Sequence, residues 1–216
     1  MELNEALYTT RAMRRVKPDP VPDEVVAAML DAAIRAPTGS GGENWRWITV
    51  TDRSTMTELA EMYREAYRLL NTTMYAGKKE QAEARDDQRT LRVMSSSEWL
   101  AENFDQVPLV VMAFHRNDPS GASIYPAVWS LMLEARSHGV GATLTTVLSW
   151  FKNDEVCALL DVPTDKGWTN AAAVTCGYPL GRWGLATRKP PQDVTFSERW
   201  GQPPSWTVDE PFWNEY

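Results

Sequence analysis

The chain has 216 residues and a formal charge of -7, from 22 Lys and Arg against 29 Asp and Glu, and its sequence pI is near 5.0. That balance excludes a general nucleic-acid binder, which needs a basic face to neutralise phosphates, and gives no polybasic attraction to an anionic membrane. A chain of this length suits a single domain, here taken as 1–216, that buries roughly 70% of its extended surface without disulfide staples.

The first element predicted is a short helix over residues 2–9, leading into the cationic stretch Arg11-Ala12-Met13-Arg14-Arg15. The N-terminal text MELNEALYTTRAMRR lacks the apolar run of a signal peptide. Pro22 opens a second helix with Asp23 and Glu24 in its first turn, where acids complement the helix dipole. Val25/Val26, Met29/Leu30 and Ala33/Ile34 recur at three-to-four spacing and form an apolar stripe that Pro37 ends. Thr38-Gly39-Ser40-Gly41-Gly42 is a loop by composition, and Trp45 to Thr51 reads as a strand.

Ser54 is placed to cap a third helix carrying Met56, Leu59, Met62 or Tyr63, and Leu70. Residues 71–95 are strongly charged and are expected to be a solvated helix or an insertion without core. Glu98 to Phe104 reads as helix, and Pro108 to Phe114 as a buried strand, since the apolar run is far short of a membrane span. Tyr125 to His138 is the most hydrophobic helix, stopped by Gly139. Residues 140–147 form a strand, 153–161 a short helix capped by Asn153, and 169–176 a strand of small residues. From Gly177 onward, residues 177–216 hold four of the ten Trp and six of the fourteen Pro. Such a segment reads as an extended arm that needs another surface for its indoles. Helices and strands alternate irregularly, which favours α+β over a regular doubly wound sheet.

Several chemistries are missing. Gly39 and Gly41 start a G-x-G-x-x-G pattern, but Asn44 takes its last place, and neither a phosphate loop nor a G-x-S-x-G elbow occurs. His115 and His138 are the only histidines and lie in separate elements, against a metal site or a hydrolytic triad. His138 is read as a helix C-terminal residue interacting with the dipole. Cys157 and Cys176 sit in apolar text, as reduced thiols of a cytoplasmic protein do. An organic cofactor is then the natural carrier of any reaction. Three segments suit one: the arginine cluster, whose planar forks match phosphate; the 38–42 loop, with glycines and the hydroxyls of Thr38 and Ser40; and Arg188-Lys189. Each alone reads more readily as solvated charge or an ordinary connection than as a ligand site.

Their order is more specific. TTRAMRRVKPDPVPDEVVAAMLDAAIRAPTGSGGENWRWITVTD, then WLAENFDQVPLVVMAF, IYPAVWSLMLEARSHGVGATLTTV and VTCGYPLGRWGLATRKPPQDVTF resemble the nitroreductase family of FMN-dependent oxidoreductases. The resemblance implies a central, mostly antiparallel sheet wrapped by helices, in an intertwined homodimer with FMN at its interface and a C-terminal arm across the partner. It implies FMN contacts from Arg11, Ala12, Met13, Arg14 and Arg15, with Arg11 and Arg15 on the phosphate and Arg14 near flavin N1 and O2. It implies further contacts from Thr38, Ser40 and Glu43, from Leu144, Thr145 and Thr146 along the ring, and from Arg188 and Lys189 at the phosphate. Thr146 would offer its main-chain N–H to flavin N5. Ala12 stands where the family often has Ser, Gly41 where it has Asn and Glu43 where it has Gln. The 71–95 segment falls at the family's lid, where Met74 and Tyr75 face a substrate pocket. The implied activity is hydride transfer from NADH or NADPH, through the flavin, to electron-poor small molecules such as nitroaromatics and quinones. Alternatives on the same fold are a non-catalytic FMN-binding protein and a reductive dehalogenase or desaturase.

Overall fold

In the computed structural model, which describes residues 1–214, the backbone falls into two units. The first joins Met1–Arg11 to the described residues from Arg182 onward, and the second spans Ala12–Gly181. The final two positions of the expected arm, Glu215 and Tyr216, lie outside the described residues.

In the first unit, α1 (Leu3–Thr9) is a helix of two turns. Its end is tied to the C-terminal segment by the Ala186 N–H, which donates to the Tyr8 carbonyl at 3.2 Å. The Tyr8 and Trp213 rings tilt against one another with centroids 6.0 Å apart. The C-terminal segment has no long helix or strand and is interrupted by short turns at Pro191–Val194 and at 197–202. Proline content explains this, because each ring removes a backbone donor and fixes φ. Phe196 and Trp200 pack together at 4.8 Å, yet Trp200 is 91% exposed.

The second unit is built on one antiparallel sheet: β1 (Trp45–Val50), β2 (Leu109–His115), β3 (Gly141–Thr145) and β4 (Thr169–Gly177), ordered β1-β2-β4-β3. The central strands β2 and β4 are buried on both faces, which is why their text is continuously apolar or small rather than alternating. A register irregularity at Ala113/Phe114 lets β2 and β4 stay paired to their ends. The α+β class and the antiparallel sheet are as expected from sequence.

One face of the sheet is covered by α2 (Asp23–Ala33) and α6 (Ile124–Ser137). Val25, Met29 and Ala33 from α2 meet Val128, Leu131 and Ala135 from α6. Each fully buried large side chain contributes roughly 1.5–3 kcal/mol. Gly139 ends α6 at φ +73°, with its N–H on the Arg136 carbonyl and the Val140 N–H on that of Ala135. His138 caps the C-terminal end of this helix, its Nε2 3.0 Å from Glu134.

The other face carries α3 (Arg53–Thr72), α5 (Gln88–Glu102), α7 (Val147–Phe151) and α8 (Asn153–Leu159), with α4 (Lys78–Ala84) before α5. Several expectations need correction here. The 71–95 region is not free of core, because Ala82 is buried, and α5 begins ten residues earlier than Glu98. The expected strand 140–147 stops at Thr145, and a helix that sequence reading missed, α7, starts at Val147. Asn153 does not cap α8. Its Oδ1 accepts from Thr169 Oγ1 at 2.9 Å and from the Asn170 N–H at 3.1 Å, tying α8 to β4.

The cap of α3 is Asp52, not Ser54. Its carboxylate accepts from the Thr55 N–H at 2.9 Å and from the hydroxyls of Ser54 and Thr55. Those hydrogen bonds, the Ser54 hydroxyl first, hold the carboxyl at about 2, below an ordinary carboxylate near 4. A depressed folded-state pKa contributes stability above the unfolded value and loses it as pH falls through 4 toward 2. Asp52→Ala is therefore expected to lower the urea midpoint at pH 7, with the gap to wild type narrowing at pH 3. A gap independent of pH would rule out the carboxylate as its source.

Candidate functional site

Residues 12–16 run beside the paired ends of β3 and β4. Met13 N–H donates to the Ala142 carbonyl at 3.1 Å, Lys17 N–H to that of Tyr178, and Leu180 N–H to that of Arg15. Two glycines permit the crossing. A Cβ on Gly141 would lie 2.8 Å from Met13 Cβ, and one on Gly177 would lie 2.9 Å from Val16. The crossing buries Met13 and Val16 and leaves Arg14 directed into a cavity of about 300 Å³.

Thr143, Leu144, Thr145 and Thr146 form one wall of that cavity, Tyr63, Tyr67 and Asn71 of α3 another. Tyr75, Lys78, Arg89, Thr90, Val93, Met94 and Ser97 close it from the 75–97 region, with Val147 and Trp150 of α7 at the side. The buried Tyr63 hydroxyl lies 3.3 Å from Thr145 Oγ1, which also accepts from the Val147 N–H at 3.4 Å. The Tyr63 ring stacks on Phe104 at 4.6 Å. Arg14 Nη1 donates to Ser96 Oγ at 3.1 Å, and Arg15 Nη2 to Ser95 Oγ at 3.2 Å. Burial draws the Arg14 pKa down and pushes those of Tyr63 and Tyr67 up. The site thus holds a costly, partly desolvated cation. Thr143 Oγ1, buried at the same wall, has no hydrogen-bond partner in the structure.

This donor set fits a planar, acceptor-rich heterocycle: a permanent cation, an unpaired hydroxyl, and a strand edge beside aromatic rings. Of the residues singled out from sequence, Arg14, Leu144, Thr145 and Thr146 line the cavity together. Met13 is buried against β3, while Ala12 and Arg15 are exposed beside them. In the first unit, Arg11 donates to the Arg182 carbonyl at 2.6 Å and Arg188 to the Thr187 carbonyl at 2.9 Å; Lys189 is exposed.

Thr38, Ser40 and Glu43 do not line this cavity. Their loop feeds β1, at one edge of the sheet, whereas Thr143–Thr145 lie on β3 at the other. Three strand spacings separate the edges, roughly 14 Å. The loop is instead pinned to α6, Gly39 N–H donating to Ser123 Oγ at 3.2 Å, with Ser40 at φ +56°.

Of the expected lid residues, Tyr75 reaches the cavity, whereas Met74 is exposed and does not line it. Tyr67, Lys78, Arg89 and Trp150 were not singled out as site residues. They lie on four separate helices, α3, α4, α5 and α7, and no spacing along the sequence links them. Among the described residues no group of three His, Cys, Asp or Glu side chains is placed to hold a metal, and no helix is long and apolar enough to cross a membrane.

Comparison with known proteins accords with this geometry. The chain is 28% identical over 191 residues to 5,6-dimethylbenzimidazole synthase of Rhodobacter capsulatus, covering 82% of this chain and 83% of that protein. It is 26% identical to iodotyrosine deiodinase of Danio rerio over 118 residues, 53% of this chain and only 37% of the relative. In fold it resembles a BluB-like flavoprotein of Clostridium difficile 630, with a TM-score of 0.69, 20% identity and coverage of 92% and 100%. It also resembles an iodotyrosine deiodinase solved with FMN and 3-iodo-L-tyrosine, with a TM-score of 0.70, 19% identity and coverage of 87% and 95%. The family model described as the Nitroreductase family matches residues 7–178, and with that match across most of its length the chain belongs to the Nitroreductase family.

Proposed function

We propose that the protein is an FMN-dependent oxidoreductase that reduces electron-poor small molecules, nitroaromatics and quinones among them, with NADH or NADPH as donor. The observation that carries this is the convergence of Arg14 and the Thr143–Thr146 edge on one cavity walled by aromatic rings. When bound, FMN supplies two-electron hydride exchange at N5. Arg14 would hold the pyrimidine edge of the ring, its fixed positive charge favouring the anionic reduced form. The Thr146 main-chain N–H is the proposed donor to N5. The hydroxyl of Tyr63, through Thr145, holds the β3 edge in place. No general base is assigned, so the protein's part is positioning, electrostatics and exclusion of water.

The phosphate is assigned to Arg11, Arg15, Arg188 and Lys189, and the remaining flavin contacts to Ala12, Met13, Leu144, Thr38, Ser40 and Glu43. Since the 38–43 loop lies far from Arg14 across the sheet, its assignment requires a second copy of the chain. A homodimer also accounts for aromatics left open to solvent, Tyr125 and Trp129 on α6 and Trp200 in the first unit. The working unit is then one domain over 1–216, with 71–95 as lid and 177–216 as arm, acting in the cytoplasm.

One preparation tests the reading. The purified protein is expected to be yellow, to sediment as a dimer, and to bleach anaerobically on addition of NADH or NADPH. A flavin that neither donor bleaches removes the nicotinamide step, leaving a reduced deazaflavin to be tried as donor, and a monomer removes the two-chain site. Reductive dehalogenation is a second reading, favoured by the likeness to iodotyrosine deiodinase. Halide release from a halophenol by the reduced protein, at a rate above that of nitro reduction, would put it first.

A further inference from the structure

The charges around the two principal hollows of the second unit differ. The cavity carries Arg14, Lys78 and Arg89 and no Asp or Glu. A neighbouring groove of about 670 Å³ shares Tyr67, Asn71, Tyr75 and Met94 with it. That groove balances Arg64, Arg68 and Lys79 against Glu80, Glu98 and Glu102. In a chain of net charge -7, the charged residues lining the cavity that holds Arg14 are all cationic.

Two of its three cations are not needed by the flavin assignment. Lys78 opens α4, and Arg89 is in the first turn of α5. Both belong to the wall built from the 75–97 region, apart from the β3 edge assigned to the cofactor. A lysine and an arginine at the positive end of a helix are unfavourable for the helix itself, so their placement is not explained by capping. Lys78 Nζ lies 3.9 Å from the Tyr75 ring centre, so the cation and an aromatic surface are presented together.

We propose that this cavity selects anionic aromatic substrates, Lys78 and Arg89 holding the negative substituent while Tyr75 and Trp150 flank the ring. The inference rests on the oxidoreductase reading for the reaction, but the charge preference is a property of binding alone.

The test compares 4-nitrobenzoate with its neutral counterpart 4-nitrobenzamide, by equilibrium dialysis against the purified protein with the flavin it carries. The benzoate is expected to bind about tenfold more tightly at low salt. That preference should shrink toward parity in 0.5 M NaCl, because exposed charges are screened there. Lys78→Met and Arg89→Met should each reduce it, and the double variant should bring it close to one. Equal binding of the two compounds by the wild-type protein, or a preference untouched by salt, overturns the proposal. So does loss of FMN from the double variant in proportion to its loss of benzoate, since the cations would then serve the cofactor. The donor-bleaching experiment separates the two levels: a flavin that bleaches in a protein indifferent to benzoate leaves the oxidoreductase reading intact and removes only the charge preference.

Discussion

Phe104→Ala is expected to lower the unfolding free energy by about 3–5 kcal/mol. Phe104 is fully buried in the core between α3 and the sheet, and its ring stacks on Tyr63 at 4.6 Å with the planes 27° apart. Truncation removes the transfer energy of the ring and leaves a hole that its neighbours cannot close without moving α3. The first residue of that helix is tied to the segment that carries Phe104, Arg53 donating to the carbonyls of Asp105 and Val107 at 3.0 and 3.1 Å, so collapse is resisted. Urea unfolding monitored by circular dichroism reads the effect. A loss below about 1 kcal/mol would mean that the site repacks freely.

Tyr63→Phe separates packing from polarity at the same place. It keeps the stack on Phe104 and removes only the hydroxyl near Thr145, whose Oγ1 retains the Val147 N–H. The expected cost is about 1 kcal/mol, the net value of an ordinary hydrogen bond. Tyr63 belongs to the core, stacks on Phe104 and also lines the cavity, so one wall of the cavity is an extension of the core and the shape of the site is coupled to global stability.

That coupling explains what could be read from the sequence and what could not. Val25, Met29 and Ala33, or Met56, Leu59 and Leu70, are spaced by the period of the helix that buries them, and a periodic signal survives without coordinates. β2 and β4 are legible by a different signal, runs that are continuously apolar or small because both faces are buried. The 71–95 region was not, because its contribution to a cavity comes from a few side chains on charged helices with almost no buried face. The break after Thr145 was also hidden: LTTVLSWF holds no Gly, Pro or charged residue to mark where strand gives way to helix. At Asp52 and Ser54 two good capping residues stand close together, and only geometry decides between them.

The candidate site divides in the same way. Arg14 and Leu144–Thr146 are singled out by motif order, whereas Thr143 is not, and pairing of residues 12–16 with the β3–β4 ends brings them to one cavity. Thr38, Ser40 and Glu43 belong to the same motif order, yet the strand order β1-β2-β4-β3 puts their loop at the far edge of the sheet. Linear order along a chain does not specify which copy of the chain supplies a contact.

Arg14→Met is expected to weaken FMN binding by roughly 10- to 100-fold, the equivalent of about 1.5–3 kcal/mol for hydrogen bonds to a charged group. The same change should leave the flavin-free protein equally stable or more so. The two expectations share one cause. Arg14 is partly buried, its pKa is drawn down by that burial, and the cavity wall offers it no carboxylate. The Ser96 hydroxyl, its neutral acceptor at 3.1 Å, returns only part of the lost hydration. Methionine keeps the unbranched stem against the wall and removes the desolvated charge. Fluorescence titration with FMN measures the first effect, and urea melts of the protein stripped of flavin measure the second. Arg11→Ala and Arg188→Ala, in the same titration, test the phosphate assignment without disturbing a buried charge. Tight FMN binding by Arg14→Met, or a flavin-free protein made markedly less stable by it, would identify Arg14 as a structural residue holding α5 and would remove it from the cofactor site.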